Sequence, residues 1–455
     1  MHLDLLVAEI GSTTTLVNGF TNLESEPRFV GQGQAPTTVL EGDVCLGLEA
    51  ARRDLARNLG LSDFSYDQFL ATSSAAGGLR MSVHGLVYAM TVQAAKAAAL
   101  GAGAVICQTT AGKLRDYELE ELQEIAPQII LLAGGTDYGE RETALYNAQA
   151  IASLGLSTPV IYAGNCQNQK LVAKYFASSP AELYLTENVY PKLDALNVEP
   201  TRRVIQSVFE RHIVQAPGME DIRQLVTGEI MPTPGAVMQA TKLLYEDLGD
   251  LVVLDVGGAT TDVHSVTPGS EELAPLAIYP EPLAKRTVEG DLGVYVNRHN
   301  LLSLLNLEEL ARELGYPLEP ILEDYQPLPA TPQQLALTAK LTETAARQAL
   351  ERHVGRWRHL YSAQGRQTLT EGKDLTAVRT LLATGGALTR LPQRQKIMED
   401  LCQLNLGGQY LFPQPHQIQI AYDHHYIMAS LGVMSLSHPQ AALKLLHRSL
   451  NNEPL

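Results

Sequence analysis

DLVVLDVGGATTDVHSVTP, residues 250–268, decides the fold. The apolar run Leu251-Val252-Val253-Leu254 has the length and composition of a strand. It ends on Asp255, turns through Gly257, Gly258, Ala259 and Thr260, and passes Thr261 and Asp262 before becoming apolar again at Val263. A strand, a small polar turn and a second strand make a hairpin. Such a turn exposes backbone N–H groups and hydroxyls, and both are ligands for phosphate.

The same scheme occurs a second time, in AEIGSTTTLVNGF, residues 8–20. Leu5-Leu6-Val7-Ala8 leads to Glu9, then to Gly11, Ser12, Thr13, Thr14 and Thr15, and the apolar pattern resumes at Leu16 and Val17. The two stretches lie about 245 positions apart, which is an internal repeat of one motif. Its simplest structural reading is a pair of like hairpins facing each other across a cleft. A carboxylate at a strand end can hold Mg²⁺, mostly through waters, because that ion dehydrates reluctantly. Glu9 and Asp255 are therefore the expected metal-linked acids, and Asp255 or Asp262 is expected to orient an attacking water. Thr13, Thr14, Thr260 and Thr261 are expected to face phosphates, on turns shaped by Gly11, Ser12, Gly257 and Gly258. Two such turns would clamp a polyphosphate and its metal. Phosphoryl chemistry needs that kind of positioning and charge neutralisation.

A third piece, LLATGGALTRLP (381–392), runs from an apolar stretch into Gly385-Gly386 and a helix start. Glycines there let backbone approach a flat ligand, so Gly385, Gly386 and Ala387 are expected to face a nucleoside. LLAGGTDYG (131–139) has the same form and is read as a feature of the fold.

Between these pieces, strand-like runs, glycine turns and helical periodicity alternate, which makes the chain α/β with much parallel sheet. Residues 36–55 read as a helix opening on Pro36 and Thr37. SSAAGGLRMSVHG (73–85) carries too many small residues for a packed strand. It reads as a loop near ligand or partner, with Arg80 and His84 as phosphate candidates. Residues 165–250 read as mostly helical, and 333 to about 359 as a long helix. In KRTVEGDLG (285–293), Thr287 reads as a helix cap, and Lys285, Arg286 and Glu289 are candidate cleft residues.

The 455 residues suffice for two or three domains with large cores. The composition is that of a soluble globular chain, with 45% hydrophobic and 18% charged residues. A formal net charge of −16 without a basic tail makes nucleic acid and anionic membrane poor partners. It leaves local anion binding by amides and a metal open. Cys45, Cys107, Cys166 and Cys402 form no CxxC pair, which argues against zinc and disulfides and for a reducing, cytoplasmic setting. The first residues carry Asp4 and do not read as a signal peptide, and no apolar run reaches membrane-spanning length.

The three pieces in this order resemble the actin, hexokinase and heat-shock-chaperone ATPase superfamily. EIGSTTT stands at its first phosphate motif, DVGGATTD at its second and TGGALTRLP at its adenosine motif. The resemblance implies two ribonuclease-H-like domains with ATP and Mg²⁺ between them. Most of that superfamily has aspartate where this chain has Glu9. A closer resemblance runs through GQGQAPTTVLEGDVCLG, LLAGGTDYGE, TGEIMPTPGAVM, KRTVEGDLGVYVN and YIMASLGV. These look like the glutamate mutase accessory proteins called MutL, which are unrelated to the mismatch-repair protein of that name. In that family glutamate is usual at the Glu9 position. The resemblance implies a chaperone-like ATPase that reactivates adenosylcobalamin-dependent mutases. The expected architecture is an N-terminal actin-like domain, 1–240, carrying an inserted α/β region from about 75 to 240, and a C-terminal one, 241–455. No DxHxxG signature is present, so a direct corrinoid ligand is not expected.

Three functions fit these residues: an ATP-driven conformational chaperone for a mutase, a small-molecule kinase, and a nucleotide-gated scaffold. A homo-oligomer is left open. The partner assignment rests on the family resemblance and not on spacing.

Overall fold

β1 (His2–Ile10) is almost wholly buried and pairs antiparallel with β2 (Thr14–Thr21), which pairs antiparallel with β3 (Arg28–Pro36). β4 (Ser65–Ser73) lies parallel to β1 on its other side. In this computed structural model the residues described are 1–38, 43–74, 79–102, 104–193, 195–212, 219–228, 230–362 and 365–453. β5 (Leu79–Gly85), β6 (Ala104–Ala111), β7 (Ile129–Leu132), β8 (Val160–Tyr162) and β9 (Leu183–Leu185) then build a sheet of their own. The chain rejoins the first sheet at β10 (Ile230–Pro232), parallel to β4, so that its order is β10-β4-β1-β2-β3.

The plan then repeats. β11 (Leu251–Val256) and β12 (Thr261–Val266) are the second antiparallel hairpin, followed by β13 (Ala284–Glu289). A two-stranded ribbon of β14 (Arg356–Ser362) and β15 (Gly365–Glu371) precedes β16 (Thr380–Thr384) and β17 (Gln419–Tyr422). β16 is parallel to β11, and β17 to β16. The order β13-β12-β11-β16-β17 matches the first sheet read from its other edge, β3-β2-β1-β4-β10. This is the ribonuclease-H-like arrangement of actin-like ATPases, present twice. Its second core packs Val252, Leu254, Val256 and Val263 against Leu337, Leu341 and Ala345 of the helix Pro332–His353. The opposite residues of β11 and β12, Asp255, Asp262 and His264, point away from that helix, because strand side chains alternate.

The chain divides into two compact units: Met1–Ala76 with Pro217–Ala277 and Arg286–Leu455, and Gly77–Ala216 with Ile278–Lys285. The first holds both actin-like sheets. The second is the inserted α/β body, whose strands run parallel in the order β6-β5-β7-β8-β9. Its sheet is covered on both faces, as a parallel sheet requires. Leu79, Met81, Val83 and Leu131 pack on one side with Ala95 and Ala98, and Ile130, Leu132 and Tyr162 on the other with Ala148 and Val172. The helix Thr233–Leu248 runs through residue 240, where the sequence reading ended its first domain.

Several local expectations are corrected. Pro36 and Thr37 do not open a helix. Pro36 closes β3 opposite Thr14, and the helix starts at Val44, with Asp43 accepting from the Cys45 N–H at 2.8 Å. The expected loop at 73–85 contains β5, a central strand, whose alternating Leu79, Met81 and Val83 are buried; its residues 75–78 lie outside those described. Arg80 donates to the Ile125 carbonyl, and buried His84 bonds Thr110 and Ser82, so both side chains are used inside the inserted body. Thr287 lies in β13 and bonds His353, and caps no helix. The long helix stops at His353, where Gly355 passes so close to Gly372 that a Cβ would meet its carbonyl carbon at 2.8 Å. The mostly helical stretch 165–250 also holds the short strands β9 and β10. Among the described residues, no helix is long and apolar enough to cross a membrane.

Candidate functional site

The two hairpins close their turns identically. Ile10 pairs with Thr15 and Gly11 N–H donates to the Thr14 carbonyl at 3.0 Å. Val256 pairs with Thr261 and Gly257 N–H donates to the Thr260 carbonyl at 2.9 Å. Glycine is needed at the first turn, where a Cβ on Gly11 would meet the Thr14 oxygen at 2.6 Å. The turns also face each other. A Cβ on Gly258 would lie 3.0 Å from the Thr13 hydroxyl oxygen.

Both turns line one pocket of about 520 Å³. Gly11, Ser12, Thr13 and Thr14 form one wall, and Gly257, Gly258, Ala259 and Thr260 the other. Glu9, Asp255 and Asp262 reach its floor, and Gly386, Ala387 and Arg390 come from the adenosine-like motif. Pro327, Leu328, Pro329, Leu335 and Leu391 add an apolar side. The combination of an apolar side with a polar, amide-bearing end suits a nucleotide. Gly385 stands behind this wall at φ +83°, and a Cβ there would meet Asp255 Oδ1 at 2.4 Å. Gly385 thus lets β16 pass against the acid, while Gly386 and Ala387 present backbone to the pocket.

The acids are held differently. Glu9 Oε1 accepts from the Ser430 N–H at 2.9 Å, from the Ser430 hydroxyl at 2.5 Å and from Asn18 at 3.3 Å. Burial pushes the Glu9 carboxyl up to about 7, against the pull of the Ser430 bonds. Burial, then Asp262 and Glu9, push Asp255 up to about 7 as well, with Arg286 opposing. Asp262 is raised by burial, although Arg286 Nη2 lies 3.2 Å from it and Thr260 bonds it. Arg286 is itself depressed by burial, chiefly offset by Asp262. Clustered buried carboxylates that resist ionisation are a strong acceptor for a dication, since a bound metal relieves their repulsion. Their oxygens are the hard donors Mg²⁺ takes. Among the described residues no group of three His, Cys, Asp or Glu side chains converges as a metal cage. Such an ion would find at most Glu9 and Asp255 as its carboxylates here, with water and phosphate oxygens to complete its shell.

Besides Gly385, three predicted site residues do not line the pocket, and the Ser12 hydroxyl is engaged outside it. Thr261, first in β12, points to the core and donates to the Leu292 carbonyl at 2.8 Å, as strand alternation demands. The Ser12 hydroxyl donates to the Ser74 carbonyl at 2.9 Å, leaving its backbone to the pocket. Lys285 pairs with Glu281 at 2.9 Å and Glu289 with Arg352 at 2.6 Å, and neither is among the residues lining the pocket.

Asn18, Ser430, Arg390, Tyr426 and Asp423 went unread in the sequence. Buried Asp423 follows β17 and accepts from Thr384 (3.0 Å), Ser449 (2.7 Å) and the Met428 N–H (2.8 Å). Its signal was present: an acid ends an apolar strand in IAYDHHY, as in the two hairpins.

A sequence model of the MutL protein family matches residues 5–450. Protein MutL of Clostridium tetanomorphum is 34% identical over 463 residues, covering 98% of each chain. Solved structures with some likeness include a nucleotide-free acetone carboxylase, at 13% identity and a TM-score of 0.41, covering 95% of this chain and 70% of that one. Component A of (R)-2-hydroxyglutaryl-CoA dehydratase from Acidaminococcus fermentans is another, at 9% identity and a TM-score of 0.30, covering 96% and 98%.

Proposed function

The chain belongs to the MutL family, and on that premise we propose that it binds and hydrolyses MgATP to reactivate or assemble an adenosylcobalamin-dependent mutase. Glutamate mutase or an amino mutase is the partner, in a cytoplasmic setting. The observation that carries the nucleotide half of this reading is the pair of like-paired turns facing each other across one pocket. The mutase half rests on the family.

In this reading the amides of Ser12 to Thr14 and of Gly258 to Thr260 hold the phosphates, helped by the Thr13 and Thr14 hydroxyls. Gly386 and Ala387 lie against the nucleoside, and the apolar side takes the base. Glu9 and Asp255 hold Mg²⁺, which neutralises phosphate charge. Asp255 orients the attacking water and is placed to accept its proton. Arg286 lies beside Asp262 and opposes the burial that raises it. Because each turn belongs to a different sheet, nucleotide and product can bind open and closed arrangements unequally, and only such a difference lets ATP drive a partner.

The test uses a glutamate or amino mutase inactivated with damaged cobalamin bound. The protein, MgATP and fresh adenosylcobalamin are added, and mutase activity is followed. Recovery with the wild type, and none with Asp255→Ala, is the expected result. Hydrolysis without recovery, together with phosphorylation of an added metabolite, would replace this reading with a small-molecule kinase.

A further inference from the structure

Among the described residues lining the pocket, three are carboxylates and Arg390 is the one cation. A polyphosphate entering such a site would be drawn to it, yet Arg390 is tied elsewhere in this structure. Its Nη2 donates to Gln32 Oε1 at 2.8 Å, and its Nη1 donates to Gln34 Oε1. Its guanidinium lies 5.5 Å from the centre of the Tyr426 ring. No carboxylate forms an ion pair with it among the described residues. Neutral acceptors hold a guanidinium less firmly than an anion does.

The two glutamines stand on β3 of the first sheet, whereas Arg390 ends the helix that follows β16 of the second. The chain of donors continues. Gln32 donates to Asn18 Oδ1 at 2.9 Å and to the Tyr426 carbonyl at 3.2 Å. Asn18 donates to the Ser430 hydroxyl at 2.8 Å and to Glu9 at 3.3 Å. Tyr426 adopts φ +53°, a conformation costly for a bulky residue and kept only where the surroundings impose it. A strap of side chains thus spans the two sheets, from the pocket cation to the first-turn acid.

We propose that Arg390 is an anion-responsive latch: the phosphates of a bound nucleotide take its guanidinium from Gln32 and Gln34 and thereby open the strap. This rests on the nucleotide reading above and adds a residue to it. The guanidinium exchanges two neutral acceptors for a bidentate, charge-assisted contact that an ammonium cannot reproduce. Gln32 then loses its anchor, and pocket occupancy is passed to Asn18, Glu9 and Ser430.

The test is calorimetric titration of the full chain with ADP and with adenosine at low salt. The variants are Arg390→Ala, Arg390→Lys and Gln34→Glu. Arg390→Ala is expected to weaken ADP at least tenfold and adenosine less than twofold. Arg390→Lys is expected to weaken ADP several-fold, and it carries the test if the alanine variant does not fold. Gln34→Glu gives the guanidinium an ionic partner and is expected to raise the melting temperature of the free protein while weakening ADP several-fold. A propping role for Arg390 predicts the opposite: Gln34→Glu would leave ADP affinity unchanged or improve it, and the latch would fall. Equal losses for ADP and adenosine in Arg390→Ala would also overturn it. If the wild type binds ADP and Arg390→Ala binds it equally well, only the latch falls. If the wild type binds neither ADP nor ATP, the nucleotide reading falls with it.

Discussion

The β1–β2 and β11–β12 hairpins have one backbone plan and two different supports. The second turn is braced by backbone. Val294 donates to the Gly257 carbonyl, Tyr295 and Val296 donate to that of Gly258, and Asn297 donates to that of Ala259. Three of these four donors are backbone amides and the fourth is the Asn297 side chain, so this turn is held chiefly by backbone. The first turn has one outside backbone brace, the Thr37 N–H on the Thr13 carbonyl at 3.1 Å, and otherwise relies on hydroxyls and on its acid. Ser12 reaches Ser74, Thr15 bonds Thr37, and Glu9 is tied by Ser430 from a helix beyond the second sheet. Asp255 has crowding instead of a tether, with Asp262, Glu9 and Asp423 all raising it. The first hairpin is built to couple and the second to stay rigid.

The largest contrast is expected between the two acids. Asp255→Asn should lower ATP turnover by about 10²–10⁴-fold, the scale of a lost general base. It should also stabilise the free protein at pH 8. The sign follows from the raised carboxyl: the folded state favours the proton, so stability is fully present below about 3.8 and is lost as pH rises through about 7. The amide removes that loss, worth up to about 4 kcal/mol from a shift of about three pH units. The gap between thermal melts at pH 5 and pH 8 should narrow in the variant, with raised Glu9 keeping part of it. Glu9→Asp should keep Mg²⁺-dependent ATP binding with altered turnover. Intact Mg²⁺-dependent binding and hydrolysis in Glu9→Ala would break the equivalence of the two turns.

Glycine replacement comes next. Gly385→Ala combines φ +83° with a Cβ 2.4 Å from Asp255 Oδ1. A loss of about 1–3 kcal/mol is expected from the backbone alone, with turnover reduced as Asp255 is displaced. Gly386→Ala should be mild, because its nearest neighbour is the Tyr426 ring at 3.7 Å. Equal melting temperatures for the two variants would remove Gly385 as the support of the second acid.

These two glycines show what the sequence made legible. The repeated turn could be read because its chemistry is local: an acid at a strand end, glycine where no Cβ fits, hydroxyls between. Asp255, Glu9 and the Gly385-Gly386 step follow from that pattern, and with them the doubled sheet. Ser430 could not be read, because it meets Glu9 across 421 residues and carries no signature of its own. β5 was missed because Ala, Gly and Ser in front of it suggested a loop. The period-two alternation of the apolar Leu79, Met81 and Val83 with Arg80, Ser82 and His84 is the better guide. Thr261 is expected with Thr260 to face phosphate, but it stands first in β12, where strand alternation turns its side chain to the core.

A smaller effect tests the tether. Ser430→Ala removes a hydroxyl that holds the Glu9 carboxyl down, so the carboxyl should rise further. Mg²⁺ needs the ionised form, and its binding profile should move to higher pH. The same substitution should cost about 1–3 kcal/mol, because Glu9 stays buried with one donor fewer. Asp255→Asn in place of Ser430→Ala should not shift the Glu9 profile upward, since it removes a neighbouring negative charge. The direction of the shift therefore separates a tethered acid from a crowded one.

The smallest effect separates hydroxyls that face the pocket from one that only neighbours it. Phosphate oxygens accept and do not donate, so a hydroxyl whose proton is already committed adds little to them. The Thr261 proton goes to the Leu292 carbonyl inside the core. Thr13 lines the pocket beside Gly258. Thr13→Ala should weaken MgATP by about 0.5–1.5 kcal/mol, with the melting temperature nearly unchanged. Thr261→Val should leave MgATP affinity within error and lose about the same free energy from stability instead, because the Leu292 carbonyl remains buried without its donor. Titration and melting of both variants read these as exchanged signatures. A Thr261→Val variant that loses affinity but keeps its stability would mean that β12 turns its first side chain toward the ligand when nucleotide binds.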